Sequence, residues 1–402
     1  MLRKISIIML VGLLMASITV VGAQNSKPTL TFLRSGGASE EAVVSPQVKA
    51  AAEALGVNIQ LEMIPWGQAY DKIMTTAAAG NPPDVAYIGS RWIPKLAALG
   101  AIAPLYVPDP VMAECFESIW PMVTWNGKIY GIPRAFSSKV LYYNTELFKK
   151  AGIAGPPKTW AELEADAKAI SENTDAYGYA LAGKKFVSST SQFFNFLFQN
   201  GGSVFDDKGN VTINNAKGVE ALKFYASLAD YAEPGPTAWK REELWQLFSD
   251  GKVGMYVSGP WRVHAFEDAG VPFKTAPLPA GPKGSSATIL VSDSLVVFSQ
   301  SEHPGLANLL ALYLTSYENQ KALDTKWGMT PMRPRETELD FFATDTWKTF
   351  ITMVPRGKPQ PLVTDWEKLE DAVTDAIQSV LLGQKTAQEA LDVAANKIEG
   401  LK

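Results

Sequence analysis

The stretch from Gly127 to Asn144 is GKIYGIPRAFSSKVLYYN, in which two apolar runs flank a proline and a small polar interval. Pro133 has no N–H for a sheet ladder and favours extended backbone at Ile132, so the pattern predicts that one strand ends there. A second strand is predicted to begin near Val140. A chain that leaves one sheet and enters another forms a hinge, and clefts form between hinged lobes. We therefore expect a ligand close to residues 134–139.

The N-terminus has the pattern of a secretory signal peptide. Arg3 and Lys4 precede an apolar segment, residues 5–21, and the small residues around Ala23 suit a signal peptidase. We expect cleavage after Ala23, because the apolar segment is short for a membrane anchor and polar residues follow it. Lipid attachment would need a cysteine at the cleavage point, and the single cysteine, Cys115, lies far inside the chain. The pattern predicts a periplasmic or extracytoplasmic protein that is not a lipoprotein.

Composition narrows the class of protein further. One cysteine allows no intramolecular disulfide, so stability must come from burial of the 47% apolar residues. The length that remains after the signal peptide favours two lobes over one. The net charge of −4 becomes −6 without Arg3 and Lys4, which gives no electrostatic basis for nucleic-acid binding. The 11 tryptophans suggest contacts with sugars or other small molecules, although tryptophan is also a common core residue.

Strand and helix patterns alternate along the chain, which predicts an α/β fold. Strands are predicted at 29–33, 57–64 and 84–88, with a helix at 40–55 where apolar residues recur at helical spacing. Such units form a parallel sheet, and ligands bind beyond the carboxyl ends of its strands. Three loops follow those ends: 34–37, 65–66 and 89–92.

Later segments predict a second lobe and further crossings. A capping box of Thr159 with Glu162 opens one predicted helix. A predicted strand at 253–257 runs into a Ser-Gly-Pro turn followed by Trp261, and packing within its own lobe explains this tryptophan as well as ligand contact does. Interruptions at Ser292-Asp293-Ser294, inside a strand pattern, and at 328–331 predict two more crossings.

The sequence has no pattern of catalytic residues. Neither His264 nor His303 has the sequence neighbours of a triad or a metal site. No nucleophile elbow, phosphate-binding loop or zinc-protease helix occurs. The acidic pairs Asp206-Asp207 and Glu242-Glu243 fall in a predicted turn and on a predicted helix, so a glycan hydrolase or lyase has little support. We predict a protein that is not an enzyme and has no metal or cofactor.

Ordered segments of the chain carry a resemblance to a known family. They begin GNPPDVAYIG at Gly80, GKIYGIPR at Gly127, PPKTWAELEA at Pro156, QNGGSVFDDKG at Gln199, GKVGMYVSGPW at Gly251 and WGMTPMRPRE at Trp327. Each segment alone is weakly specific, but their order extends over nearly the whole mature chain. The sequence resembles the extracellular solute-binding proteins of family 1, the maltose-binding-like proteins of carbohydrate ABC transporters.

The resemblance implies a two-lobed clamshell with the type II periplasmic-binding-protein fold and three inter-lobe crossings. These map to 133–138, 289–294 and 329–333. The implied domains are a signal peptide at 1–23, an N-terminal lobe at 24–133 and 294–328, and a C-terminal lobe at 134–293 and 329–402. The resemblance also implies a monomer that binds a di- or trisaccharide in the cleft and delivers it to ABC permease subunits.

Sugar recognition needs aromatic faces for C–H surfaces and polar groups for hydroxyls. Within the family, the tryptophan after Gly-Pro commonly stacks on a sugar ring, which favours ligand contact for Trp261. The implied aromatic faces are Trp66, Trp92 and Trp261. The implied polar contacts are Ser35, Gly36, Gly37, Ser90, Ser137, Ser191, Gln192 and Asp293.

Two features leave the ligand's charge open. Asp293 stands where relatives often carry glycines, and its side chain could accept a hydrogen bond from a ligand hydroxyl or cap a turn. Four arginines lie on predicted cleft loops: Arg34, Arg91, Arg134 and Arg333. Such arginines could bind sugar hydroxyls, hold the anionic group of a solute such as sn-glycerol 3-phosphate, or form ion pairs between lobes.

Overall fold

The computed structural model describes residues 27–402, and the predicted signal peptide lies outside them. The strands are β1 (Thr29–Ser35), β2 (Asn58–Ile64), β3 (Val85–Gly89), β4 (Thr124–Trp125), β5 (Lys128–Ile129), β6 (Ile132–Ser137), β7 (Val140–Asn144), β8 (Tyr177–Tyr179), β9 (Val253–Ser258), β10 (Phe273–Ala276), β11 (Thr288–Val297) and β12 (Gly357–Pro359).

The α-helices alternate with these strands along the chain. They are α1 (Ala38–Leu55), α2 (Ala69–Ala78), α3 (Ile93–Ala98), α4 (Asp109–Ala113), α5 (Thr145–Lys150), α6 (Trp160–Asn173), α7 (Val187–Gln199), α8 (Ala216–Ser227), α9 (Arg241–Ser249), α10 (Val263–Asp268), α11 (Pro304–Leu314), α12 (Tyr317–Leu323), α13 (Asp345–Met353), α14 (Trp366–Leu381) and α15 (Ala387–Ile398). Within residues 27–402, no helix combines the length and apolarity that a membrane span requires.

Two sheets organise the molecule. The larger sheet has the strand order β12-β11-β3-β1-β2, and β6 pairs with β11 as well. β1 is parallel to β2 and β3, as the alternation of strands and helices predicts. The smaller sheet has the order β10-β7-β9-β8. The chain leaves the larger sheet at Ser137 and enters the smaller one at Val140, so the first predicted crossing connects the two sheets.

The prediction that a strand ends before Pro133 is wrong. β6 begins at Ile132 and continues through Pro133 to Ser137. Pro133 lies opposite Ser294 at a register shift, and β11 is the one strand with which β6 pairs among the described residues. A residue without an N–H costs a sheet least in an edge strand beside such an irregularity.

The predicted break at Ser292-Asp293-Ser294 is also wrong, because β11 is continuous from Thr288 to Val297. Its first three residues pair with β12, whereas residues 293–297 pair with β3. The shift in its pairing with β6 falls between Asp293 and Ser294. The polar residues therefore mark a β-bulge within the strand, not its end.

A cluster of aromatic rings packed on the smaller sheet supports the turn after β9. Tyr142 is fully buried, and its ring centroid lies 5.5 Å from that of Phe266 and 5.6 Å from that of Phe273. Its hydroxyl donates to the carbonyl of Gly259 at 2.8 Å. Since that glycine lies two residues before Trp261, the core fixes the position at which Trp261 leaves the strand.

The capping box predicted from the sequence is confirmed, and a second side-chain cap opens α5. The Asn144 side chain accepts hydrogen bonds from the backbone N–H groups of Glu146 and Leu147 at the start of α5. The Thr159–Glu162 capping box opens α6. These caps depend on contacts within three residues, which explains why the sequence alone predicts them.

Glu233 should make stability fall as pH rises. Its side chain is 1% exposed and accepts the N–H of Leu181 at 3.3 Å. Burial raises its pKa from 4.5 to about 8. The folded state therefore holds the Glu233 carboxyl proton more tightly than the unfolded state does. The contribution of Glu233 to the free energy of unfolding is most favourable below about pH 4.5 and declines up to about pH 8.

We expect Glu233→Gln to remove much of that decline. Urea unfolding should give a free energy of unfolding higher than wild type by on the order of 2 kcal/mol at about pH 8.5, and close to wild type near pH 5. Glu53→Gln, at an exposed position of α1, should keep the wild-type profile. Parallel profiles for wild type and Glu233→Gln would contradict the prediction.

Candidate functional site

A cavity of about 460 Å³ is lined by residues that follow strands of both sheets. We call it the cleft cavity. Aromatic side chains contribute to its wall: Trp66, Tyr87, Phe186, Trp261 and Trp327. A smaller surface cavity of about 290 Å³ between α14 and α15 has no aromatic side chain in its lining. The combination of aromatic faces and polar groups makes the cleft cavity the candidate binding site.

The loops after β1, β2 and β3 meet at the cleft cavity. They contribute Gly36 and Gly37, Trp66, and Arg91 respectively. The prediction that parallel strands bring these loops to one edge of the sheet is confirmed in geometry.

The two glycine amides have acceptors inside the protein. Gly36 N–H donates to the carbonyl of Ile64 at 3.0 Å, and Gly37 N–H donates to the Glu40 carboxylate at 2.6 Å. A Cβ at Gly36 would lie 2.1 Å from Glu40 Oε2, so only glycine permits this approach. The backbone here positions Glu40 at the cavity rather than leaving two free donors.

Trp66 and Trp92 form a stack, with ring centroids 5.9 Å apart and an interplanar angle of 20°. Trp66 lines the cleft cavity and is half-buried, whereas Trp92 is 4% exposed and lies behind it. The indole N–H of Trp92 donates to Glu367 Oε1 at 3.0 Å. Trp92 therefore supports Trp66 and has no face on the cavity.

The turn after β9 presents Trp261 from the other side. A Cβ at Gly259 would lie 2.2 Å from the Trp261 ring, so the glycine leaves the space into which the ring folds. Two cations lie over that ring: Lys139 Nζ is 4.6 Å and the Arg241 guanidinium carbon 5.1 Å from its centroid.

Asp293 projects from the bulge of β11 between two cavity residues. Its Oδ2 accepts the hydroxyl of Tyr87 at 3.1 Å, and its Oδ1 lies 4.0 Å from Arg91 Nη1. Burial raises the pKa of Asp293, and the charge of Arg91 opposes that effect. Oδ1 has no hydrogen-bond partner among the described residues, which leaves an acceptor for a ligand.

Eight of the residues predicted from sequence line the cleft cavity: Gly36, Gly37, Trp66, Arg91, Ser137, Ser191, Trp261 and Asp293. Seven do not: Arg34, Ser35, Ser90, Trp92, Arg134, Gln192 and Arg333. Among the latter, the hydroxyl of Ser90 lies 2.6 Å from that of Ser294, and Gln192 donates to the carbonyl of Val257 at 2.7 Å. Arg34 and Ser35 are fully buried, with the guanidinium 4.0 Å from the Tyr87 ring centroid.

Arg134 and Arg333 lie in buried polar networks near the segment that joins the two sheets. Arg134 donates to the carbonyl of Leu314 and to the side chains of Gln47 and Gln320. Arg333 donates to the carbonyl of Thr315 at 2.6 Å and to Glu114 at 3.2 Å. Their partners belong to the protein itself, which favours the ion-pair and packing interpretation over contact with a ligand.

Sequence reasoning missed much of the cavity wall. The missed polar and aromatic residues are Ser39, Glu40, Tyr87, Lys139, Phe186, Ser188, Lys240, Arg241, Glu242, Arg262, Trp327 and Gln360. Three of them had a usable signal: Lys139 ends the segment 134–139 expected near a ligand, Arg262 directly follows Trp261, and Trp327 opens the WGMTPMRPRE segment. The remainder come together only through packing of distant elements.

Comparison with known proteins identifies the family. The model of the bacterial extracellular solute-binding proteins matches residues 47–349, so the chain belongs to that family of transport components. A Brucella abortus protein whose name records only a binding function is 30% identical, with 88% of this chain and 89% of the relative covered. The resemblance found in the sequence is confirmed.

Solved structures agree with the fold. An ABC transporter solute-binding protein from Thermotoga lettingae, bound with α-D-tagatose, has a TM-score of 0.84 at 27% identity, covering 93% of this chain and 99% of that one. The GacH receptor of Streptomyces glaucescens, solved unliganded and with acarbose, has a TM-score of 0.84 at 25% identity, covering 93% and 98%. The two-lobed type II fold predicted from sequence is thereby confirmed.

Arg134→Met should weaken folding rather than binding. It leaves the buried Leu314 carbonyl and Gln47 side chain without their donor, which should cost on the order of 3 kcal/mol in urea unfolding. Arg134→Lys should not restore this, since one ammonium cannot span both acceptors. Arg335→Met, at a position 48% exposed, should cost less than about 1 kcal/mol.

The affinity of folded Arg134→Met for its ligand should stay within about threefold of wild type, measured by calorimetry at a temperature where the variant is folded. A large loss of affinity with unchanged stability would return Arg134 to the ligand site.

Proposed function

We propose that the protein binds a sugar, a di- or trisaccharide, in the cleft cavity and delivers it to the permease of an ABC importer. The observation that carries this proposal is the pairing of Trp66, from the larger sheet, with Trp261, beyond the smaller one, across a single cavity. The volume of about 460 Å³ suits a small-molecule site. The sugars recorded for the two solved relatives, tagatose and acarbose, support the same class of ligand.

The polar groups of the cavity suit hydroxyl recognition. The free acceptor on Asp293 and the side chains of Ser137 and Ser191 lie among the aromatic residues. A sugar that contacts both walls at once favours the state in which they are close, because only that state makes both sets of contacts. The segment between Ser137 and Val140 is the proposed hinge, since it joins the two sheets directly.

We propose the lobes, location and partners of the protein from its sequence pattern and its family. The lobes comprise 24–133 with 294–328, and 134–293 with 329–402. The mature protein acts as a monomer in the periplasm or an equivalent extracytoplasmic space after removal of residues 1–23, without a lipid anchor. It captures and releases its ligand without chemical change, so it is not an enzyme. Its partners are the sugar and the ABC permease subunits.

Calorimetry and thermal shift across gluco-, manno-, galacto- and xylo-oligosaccharides test the sugar assignment. We expect at least one di- or trisaccharide to bind and to raise the unfolding temperature, since it binds only the folded state. If the folded mature protein gives neither heat nor a shift with any of them, the assignment is wrong.

Trp66→Ala and Trp261→Ala should each lower the affinity for that sugar roughly tenfold or more, because each removes an aromatic face. Tyr106→Ala is the control, since Tyr106 is 74% exposed and outside the cavity lining. Wild-type affinity in both tryptophan variants would contradict the proposed stacking.

A further inference from the structure

Lys139 is a buried lysine in the cleft cavity without an acidic partner. Its side chain is 2% exposed, and Nζ donates to Ser137 Oγ at 2.7 Å. No carboxylate oxygen lies within 4.0 Å of Nζ among residues 27–402. Burial of an ammonium that contacts no carboxylate is costly to the folded protein, so the position calls for an explanation.

The other cations of the cavity differ from Lys139 in their surroundings. Arg241 contacts Glu242 at 2.5 Å, and Arg91 lies 4.0 Å from Asp293. Lys240 lies 3.6 Å from Glu243, outside the lining. Arg262 is less buried than Lys139 and lies 4.7 Å from the Trp245 ring centroid. Lys139 combines nearly complete burial with the absence of a close carboxylate.

The formal charge of the cavity wall agrees with this contrast. Its cations are Arg91, Lys139, Lys240, Arg241 and Arg262, and its acids are Glu40, Glu242 and Asp293. Five cations against three acids leave an excess of two positive charges, in a chain whose net charge is −4. The wall is therefore complementary to an anionic group on the ligand.

We propose that the sugar carries a carboxylate, as a uronic acid residue does, and that Lys139 supplies the counter-charge. This inference rests on the proposed function and names the class of sugar. Lys139 Nζ donates to one protein acceptor, Ser137 Oγ, so it has N–H groups left for a carboxylate oxygen. A ring stacked on Trp261 brings its substituents close to Lys139 Nζ, which lies 4.6 Å from that tryptophan's centroid.

Binding should be linked to a proton. The charged groups that face Lys139 are Arg241 and Glu242 on α9 and Asp293 on β11. Burial, followed by the charge of Arg241, holds the pKa of Lys139 well below its usual range, and the two acids oppose this only in part. A ligand carboxylate that binds beside Lys139 stabilises the protonated side chain and therefore raises the pKa of Lys139. Affinity should then be highest below the pKa of the free protein and fall as pH rises toward the pKa of the complex.

The test is calorimetry on the mature protein with matched disaccharides: digalacturonate against galactobiose, and cellobiouronate against cellobiose. In at least one pair, the acidic sugar should bind roughly tenfold or more tightly than the neutral one. That affinity should weaken with added salt, and buffers of different ionisation enthalpy should reveal proton uptake. The neutral sugar should show neither effect.

Variants assign the preference to Lys139. Lys139→Met keeps a side chain of similar length without the ammonium and should reduce the acidic-to-neutral affinity ratio roughly tenfold. Lys139→Arg keeps the positive charge and should keep the ratio above one. Lys72→Met is the control, because Lys72 lies outside the cavity lining and already has Glu62 as a neighbour at 3.0 Å, and it should change the ratio less than about threefold. The unfolding temperature of ligand-free Lys139→Met should equal or exceed that of wild type, which verifies folding.

The outcomes separate this inference from the proposed function. Neutral sugars that bind as tightly as acidic ones, or a preference unchanged in Lys139→Met, would overturn the inference and leave sugar binding intact. Absence of binding by every acidic and neutral oligosaccharide would overturn both.

Discussion

The pairing of β11 with β3 on one side and β6 on the other is the constraint on which the binding site depends. β3 and β6 are distant in sequence, and β11 fixes their relative position through backbone hydrogen bonds. One strand thereby aligns the loop that carries Arg91 with the segment that leads to Lys139. The register shift after Asp293 lies at the same place, and it sets the carboxylate between Tyr87 and Arg91. The sheet is least regular where the site is built, as is common for bulges beside functional residues.

Sequence patterns predicted those parts of the fold whose causes are local. The Thr159–Glu162 cap and the strands before the cleft loops depend on neighbours within a few residues or on a simple period. Pro133 and Ser292-Asp293-Ser294 misled the prediction for the opposite reason. Whether a proline or a polar triplet ends a strand depends on which strand lies beside it, and here each is accommodated at the same irregularity between β6 and β11. That partnership joins segments far apart in the chain and leaves no trace in the local pattern.

In the binding site, too, the sequence predicted what depends on local pattern and not what depends on packing between distant segments. The sequence correctly indicated which loops converge, but it could not separate Trp66 from Trp92, because which of two stacked rings faces a cavity is a property of packing. Arg134 and Arg333 lie on predicted cleft loops, yet their guanidinium groups turn into the protein and bind carbonyl oxygens. The sequence placed Lys139 in the segment expected near a ligand but could not single it out, because its significance comes from the lack of a contacting carboxylate. The nearest charged residues belong to α9 and β11. Pairing of charges is a three-dimensional property, so a sequence can suggest an arginine or lysine near a ligand without revealing its partner.

The protein has a negative net charge, whereas the wall of its cleft cavity has an excess of positive charge. The requirements of folding alone do not account for this distribution. A carboxylate in contact with Lys139, or an apolar residue in its place, would stabilise the empty protein, since a buried cation without a contacting carboxylate opposes folding. Departures from good packing and charge pairing in native proteins concentrate at functional sites, where a ligand completes what the protein leaves unpaired. The free oxygen of Asp293 and the ammonium of Lys139 both fit that pattern, one as an acceptor and one as a donor in the same cavity. A ligand that satisfies both must offer a hydroxyl and an acidic oxygen within one small molecule, which is the chemistry of a sugar acid.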